Sequence, residues 1–263
     1  LESNHLMKWD SPWGPSYPGW HIECSVMSQK YLGEVFDIHT GGIDLIPTHH
    51  ENEIAQSKGM CGKIPANYWM HGEFLLINGG KMSKSLGNVY LLQDIVDRGY
   101  DPLVYKLFCY SIQYRKKLNF TWEGMDSARI ALDRLREAYQ KHLTGTEDVA
   151  EELISKYEKD FNEAINDDLN MPVAMSVVWE VAKRTEKSKK VAELLKKFDR
   201  VLGIKIDEHK EEEIPDDIKE LLTKRAEARK NKDWAESDKI RDIIKEKGYI
   251  VKDSKEGQTV EKC

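Results

Sequence analysis

Hydrophobic patterning changes character along the chain, and this limits the folds open to it. From residue 1 to about 85, short apolar runs alternate with Gly, Pro, Trp and His. Phe36-Asp37-Ile38-His39 and Phe74-Leu75-Leu76-Ile77 read as short buried strands, and residues 24–32 and 49–58 read as helices. Strands alternating with helices predict a parallel α/β sheet. Too few strands are present to complete one, so an N-terminal half of the sheet is expected elsewhere. The opening residues, Leu1-Glu2-Ser3-Asn4-His5, fit a chain entered mid-domain and a piece of a longer protein. They carry no basic stretch followed by an apolar one, so no signal peptide is expected.

Residues from about 90 to 205 change to helical spacing. Ala128, Ala131, Leu132, Leu135, Ala138, Tyr139 and Leu143 form one apolar face. Asp167-Asp168-Leu169-Asn170-Met171-Pro172 reads as a break and restart, with Asn170 as cap and Pro172 in the first turn of a helix carrying Val173, Met175, Val177, Val178, Val181 and Ala182. An antiparallel bundle is the expectation. Residues 211–218 then carry five acids and no base. Beyond them, 216–231 and 233–246 predict two helices, Gly248 a left-handed stop, and Tyr249-Ile250-Val251 a strand. No repeat or low-complexity tract interrupts the pattern.

At 263 residues, 40% hydrophobic and 33% charged, the chain has the composition of a soluble globular protein of about two domains. No window approaches the roughly 18 apolar residues of a membrane span. Four widely spaced cysteines (Cys24, Cys61, Cys109, Cys263) are too few for a disulfide scaffold, and a reducing cytoplasm is expected. Cys61, Cys109 and Cys263 are expected to fill structural or solvent positions, and the chain to be a monomer. The net charge of −6 argues against nucleic acid in bulk, but it is unevenly spread. From Lys219 to Cys263 there are thirteen Lys/Arg and ten Asp/Glu, a local net of +3.

Two constellations carry chemistry. His49 and Glu53 stand at i and i+4, one turn apart on a shared helix face, with Pro47-Thr48 as an entry and Thr48 as a possible cap. Cys24 lies upstream in Trp20-His21-Ile22-Glu23-Cys24, and Cys, His and Glu are all zinc ligands. The same spacing also occurs on helix surfaces as a simple pair, and a single Cys is often a small buried residue. His39 and His50 rival His49, although His50 points about a quarter-turn from the face of Glu53. The second constellation is Gly79-Gly80-Lys81-Met82-Ser83-Lys84-Ser85-Leu86-Gly87-Asn88, behind a strand. Its glycines permit tight turns, and its lysines can meet a polyphosphate as point charges. It is not a Walker loop, because G-x-x-x-x-G-K-[ST] is absent.

Lys81-Met82-Ser83-Lys84-Ser85 resembles the KMSKS signature of class I aminoacyl-tRNA synthetases. Three segments narrow the resemblance to the cysteinyl-tRNA synthetase family: Pro18-Gly19-Trp20-His21-Ile22-Glu23-Cys24-Ser25, Asp37-Ile38-His39-Thr40-Gly41-Gly42-Ile43-Asp44-Leu45, and His49-His50-Glu51-Asn52-Glu53-Ile54-Ala55-Gln56. It extends through Tyr114-Arg115-Lys116-Lys117-Leu118-Asn119-Phe120 to Arg229-Lys230-Asn231-Lys232-Asp233-Trp234.

The resemblance implies a partial Rossmann-type catalytic domain over 1–90, a stem-contact and helical bundle domain over 91–210, and a small α+β anticodon-binding domain over 211–263. It implies ATP-dependent activation of L-cysteine and transfer to cysteine tRNA, with Mg2+ accompanying ATP. It implies one Zn2+ held by Cys24, His49 and Glu53, and so favours His49 over His50. A second Cys, the family's remaining ligand, has no counterpart here, nor has its H-x-G-H segment. Trp20 resembles the pocket-wall aromatic. Gly41, Gly42 and Asp44 resemble the ribose-binding turn, Lys84 the ATP-binding lysine, and Lys81 its assistant. Arg229, Trp234, Asp238 and Asp253 match positions that read anticodon bases. Ile46-Pro47-Thr48 departs from the family's usual Phe-Pro before the histidine, which predicts a shifted helix entry. Activity is therefore expected of a longer parent, the alternative being a catalytically inactive tRNA-binding fragment. A ligase joining cysteine to an amino-sugar fits less well, because it has no domain like the one around Trp234. A zinc hydrolase lacks its H-E-x-x-H helix here.

Overall fold

The front of the chain is a β-α-β unit preceded by one helix. Helix α1 (Trp20–Leu32) begins earlier than the spacing predicts and stops at Gly33, whose φ of 92° suits glycine. Strand β1 (Phe36–Gly42) leads through a 3₁₀ turn (Ile43–Leu45) and a π turn (Ile46–His50) into α2 (Glu51–Cys61). Thr48 makes no cap bond. The chain enters α2 through the wide π turn, with Pro47, which has no N–H to donate, in its first positions. Strand β2 (Ala66–Gly72) returns parallel to β1, with His39 opposite Trp69 and Gly41 opposite His71. The structure is a computed structural model and describes residues 7–17, 19–208, 215–254 and 257–262. Pro18, Cys263 and residues 211–214 of the acidic stretch lie outside the described residues.

A second sheet follows. Strand β3 (Leu75–Ile77) folds back on β4 (Gly80–Lys81) through Asn78 and Gly79, both at positive φ, as a two-residue hairpin turn requires. After a 3₁₀ turn (Lys84–Leu86), α3 (Leu92–Asp97) and α4 (Pro102–Cys109), strand β5 (Leu118–Phe120) joins β3 in parallel. Four helices complete this part: α5 (Trp122–Leu143), α6 (Glu151–Asn166), α7 (Met171–Ala182) and α8 (Lys189–Leu202). Their core includes Met125, Leu132, Leu135, Val178, Val181, Leu195 and Leu202, with Phe161 stacked on Phe198 at a centroid distance of 4.1 Å. Each such side chain contributes about 1.5–3 kcal/mol by leaving water. The break before α7 falls where the sequence places it, with Pro172 in the first turn. Asn170 occupies the cap position without a cap bond, because its amide is turned back to Asp167.

The chain divides into two compact units, Leu1–His209 and Lys210–Cys263. In the second, α9 (Asp216–Lys230) packs on α10 (Trp234–Glu246), and a hairpin of β6 (Tyr249–Ser254) and β7 (Gly257–Lys262) follows. Gly248, at φ 84°, stops α10 as the sequence predicts. Ile218, Ala228, Ile240 and Ile244 form its core. In the first unit, the parallel pair is incompletely covered: Ile38 is 54% exposed and Tyr68 69%. Parallel sheets are ordinarily packed on both faces. Among the described residues no helix is long and apolar enough to cross a membrane.

Candidate functional site

Three consecutive elements bring Cys24, His49 and Glu53 together. Cys24 comes from α1, His49 from the π turn and Glu53 from the first turn of α2, and one ligand atom from each lies within 4.8 Å of the others. His49 and Glu53 are buried. His49 Nε2 lies 2.8 Å from Glu53 Oε1, yet that buried oxygen has no hydrogen-bond partner. Contact at this distance without hydrogen-bond geometry leaves a buried nitrogen and a buried carboxylate oxygen converging on a space that suits a shared cation. The other nitrogen of His49, Nδ1, lies 2.8 Å from Nδ1 of His21, which fixes the ring as a second-layer partner does around a metal. Burial, then Glu53 and Glu23, push the Cys24 thiol up, so a bound cation is what would favour its thiolate. A thiolate, an imidazole and a carboxylate together form a zinc-type donor set. The exposed ring of Trp20 stands 5.0 Å from the His49 ring, at the edge of this group.

The π turn also turns His50 inward, and this was not legible from helical spacing. His39, His50 and Glu53 form a second group within 4.8 Å, in spite of the quarter-turn predicted between His50 and Glu53. His39 Nε2 lies 3.0 Å from Glu53 Oε2, and His50 Nδ1 lies 2.8 Å from His71 Nε2. Burial, followed by His39, His71 and His49, lowers the His50 pKa to about 4, so the ring is neutral at pH 7. Trp69 packs against both His39 and His50. His39 and His50, the two rivals of His49 in the sequence, thus meet the same Glu53 in a group of their own, while residue spacing gives no role to His21, Trp69 or His71. The available signal was the alternation Trp69-x-His71, which puts both rings on the face of β2 beside His39.

Gly41 and Gly42 close the carboxyl end of β1, where open α/β sheets bind ligands. The structure gives Gly41 a local reason to be glycine, because a Cβ there would lie 2.7 Å from Cε1 of the buried His50, whereas one on Gly42 would meet only the end of the exposed Asp44 side chain, which can turn away. Asp44 is exposed in the 3₁₀ turn. Gly41 and Thr40 also border a cavity of about 620 Å³ with largely apolar walls, among them Met70, Leu75, Tyr105 and Tyr110.

Lys81 and Lys84 are both exposed, one in β4 and the other in the 3₁₀ turn. The loop between them is internally bonded. Ser83 Oγ accepts from the Leu86 N–H and lies 2.7 Å from Ser85 Oγ. Asn88 spans the segment: its Oδ1 accepts from the Ser83 N–H at 2.8 Å, and its Nδ2 donates to the Lys81 carbonyl at 3.0 Å.

In the second unit, Arg229 Nη1 donates to Asp253 Oδ2 at 3.2 Å, and its guanidinium lies 5.7 Å from the centre of the Trp234 ring. Trp234, the first residue of α10, is 57% exposed. Asp238 pairs with Arg241 at 3.1 Å. Asp233 caps α10 by accepting from the Glu236 N–H. Asp253 also accepts both terminal nitrogens of Arg225, which lowers its pKa. Of the remaining cysteines, Cys61 donates to the Ser57 carbonyl and burial raises the pKa of Cys109.

Comparison with known proteins gives three family matches. Residues 2–130 match the class I (C) tRNA synthetase catalytic domain, 160–207 the DALR domain, and 211–260 the cysteinyl-tRNA ligase anticodon binding domain. A cysteine–tRNA ligase 1 of Burkholderia lata is 45% identical over 255 residues, covering 96% of this chain and 53% of the relative. A cysteine–tRNA ligase of Bacillus cereus is 44% identical over 270 residues, covering 95% of this chain and 57% of the relative. The chain thus spans a little over half the length of these curated relatives. The crystal structure of an Agrobacterium radiobacter LeuRS–tRNA–LeuAMS complex superposes with a TM-score of 0.55 at 15% identity, covering 75% of this chain and 32% of that one. This likeness concerns the fold.

Proposed function

Because the chain belongs to the cysteine–tRNA ligase family, we propose that it carries the metal-binding, signature-loop and anticodon-reading parts of an enzyme that activates L-cysteine with ATP and transfers it to cysteine tRNA. The observation that carries this reading is the convergence of Cys24, His49 and Glu53 beside Trp20. These three side chains would hold Zn2+, and the metal when bound supplies a soft Lewis acid that takes a substrate thiolate and disfavours the hydroxyl of serine.

Each further role follows from a side chain of this chain. His21 orients His49, and Trp20 closes the amino-acid pocket. Gly41 and Gly42 allow close approach to the nucleotide, and Asp44 accepts from the ribose hydroxyls. In activation, a carboxylate oxygen of cysteine bonds to the α-phosphorus of ATP as the bond to the β-phosphate bridge breaks. Lys81 and Lys84, with Mg2+ on the phosphates, offset the charge that accumulates on the departing pyrophosphate. A ribose hydroxyl at the tRNA terminus then bonds to the acyl carbon, and AMP leaves. Arg229, Trp234, Asp238 and Asp253 read anticodon bases by stacking and by accepting from amines. The parts divide at 1–90, 91–210 and 211–263, in a cytoplasmic monomer.

A second reading has its own support. The exposed Ile38 and Tyr68 on the parallel pair call for further covering structure, and among the described residues the zinc-type group has three members, Cys24, His49 and Glu53. On that reading the chain alone binds tRNA without catalysis. Metal analysis of the 263-residue chain, with Cys24→Ser as control, tests the primary reading. About one zinc per chain, lost in the control, supports a preformed site. No zinc in either leaves the RNA-binding reading, which salt-dependent tRNA binding without pyrophosphate exchange would then establish.

A further inference from the structure

The largest fully enclosed side chain among the described residues is an arginine, Arg225 of α9. Its Nη1 and Nη2 donate to Asp253 Oδ1 at 2.9 Å and Asp253 Oδ2 at 3.0 Å, a two-pronged grip on one carboxylate. Nη1 donates also to Gln258 Oε1 at 2.7 Å. Gln258 faces Asp253 across the β6–β7 hairpin, and its amide donates back to the Leu222 carbonyl on α9. One buried guanidinium therefore ties α9 to both strands.

This is a costly way to fill the space. The Arg225 Nε–H is buried with no hydrogen-bond partner. A buried charge left partly unpaired is destabilising, and an apolar residue of similar volume often packs as well or better. What an apolar residue lacks is a planar fork matching a carboxylate. The residue gripped, Asp253, is itself 43% exposed, so it is held from within and open to solvent on its outer side. Its two oxygens offer about four acceptor positions, of which Arg225 takes two and Arg229 a third. About one is left for a donor arriving beside the exposed Trp234 ring.

On the reading that this unit contacts an anticodon, we propose that Arg225 is a positioning residue that fixes the Asp253 carboxylate to accept from a base amine. It touches no base. Through Asp253 it sets the preference for a base with an exocyclic amine over one with a carbonyl at the same place, because a locked carboxylate accepts from the first and repels the second.

The test uses the full 263-residue chain and cysteine-tRNA transcripts substituted base by base in the anticodon, with affinities measured at fixed salt. Asp253→Asn is expected to lower the amine-over-carbonyl preference at one anticodon position by about tenfold. Arg225→Lys is expected to lower the same preference at that position, with the salt slope unchanged, and the double variant to be no worse than either single one. Arg225→Met, which fills the volume without charge, gives the same readout should the lysine variant fail to fold. A strut would behave differently, lowering the unfolding midpoint while the preference survived. A folded Arg225→Lys or Arg225→Met protein with its preference intact overturns the proposal, as does failure of both variants to fold. If Asp253→Asn and Trp234→Ala both leave RNA binding untouched, the anticodon reading itself fails, and the positioning role falls with it.

Discussion

Replacing Asn88 by alanine should loosen the signature loop by an amount the structure sets. The side chain makes two bonds there, accepting from the Ser83 N–H at 2.8 Å and donating to the Lys81 carbonyl at 3.0 Å. At about 1 kcal/mol net for each, the closed arrangement loses about 2 kcal/mol relative to its open form, or about 30-fold in the opening equilibrium. Amide hydrogen exchange at Ser83 reads this directly, since that N–H is the group released. Its exchange should quicken about 30-fold in Asn88→Ala. The Gly79 amide is the internal control: it donates to Asn119 Oδ1 at 2.6 Å, outside the Asn88 bridge, and should not change. Asn88→Asp keeps an acceptor for Ser83 but places a second acceptor against the Lys81 carbonyl, so about half the effect should return. Exchange at Ser83 within threefold of the parent in Asn88→Ala would show that the lysines are held by something other than this bridge.

Other expectations concern the histidine cluster. His21→Ala removes the partner of His49 Nδ1 and should weaken zinc binding by about 10- to 100-fold in a competition titration, while Cys24→Ser abolishes it; an unchanged affinity would remove His21 from the site. In metal-free protein, acid should destabilise the first unit through His50. Its folded pKa, about 4, lies below the usual 6.5, so the unfolded chain binds the extra proton first. Stability is then complete above pH 6.5 and falls as pH drops towards 4, by up to about 3 kcal/mol. Thermal unfolding at pH 7 and pH 5 tests this, and His50→Gln should reduce the difference without abolishing it, because burial also lowers the pKa of His71 and His142 in the same unit. Gly41→Ala places a carbon 2.7 Å from His50 Cε1 and should displace that ring; a crystal structure of the variant with the His50–His71 contact intact would refute the steric account.

The elements that the sequence disclosed best are those fixed by a single local rule. Gly248 stops α10 because only a residue tolerant of positive φ can follow there, and Pro172 opens α7 because a first turn needs no N–H from it. The apolar face through Leu132, Leu135 and Tyr139 is buried as its spacing requires. Caps proved harder to read. Thr48 and Asn170 have the right chemistry and make no cap bond, because the π turn and the Asp167 carboxylate decide their surroundings. That Cys24, His49 and Glu53 come together could be anticipated from residue types and a family resemblance, but the residues packed around them could not. Nothing in helical spacing places His50 beside Glu53.

The π turn explains why that support lay hidden. Adjacent residues on a regular helix diverge by about 100°, so two neighbouring histidines would not both be expected to point inward. Over Ile46–His50 the turn is wider, and both His49 and His50 are buried. One ring meets His21 and Glu53, and the other meets His71 over the space that Gly41 leaves open. Each partner arrives from a different element: His21 from α1, His71 and Trp69 from β2, and Gly41 and His39 from β1. A one-residue change of phase at the entry to α2 therefore couples the helix that carries Glu53 to the carboxyl ends of both parallel strands. Pairwise spacing within one helix carries no trace of such coupling, because it depends on the register of β1 against β2, in which Gly41 faces His71.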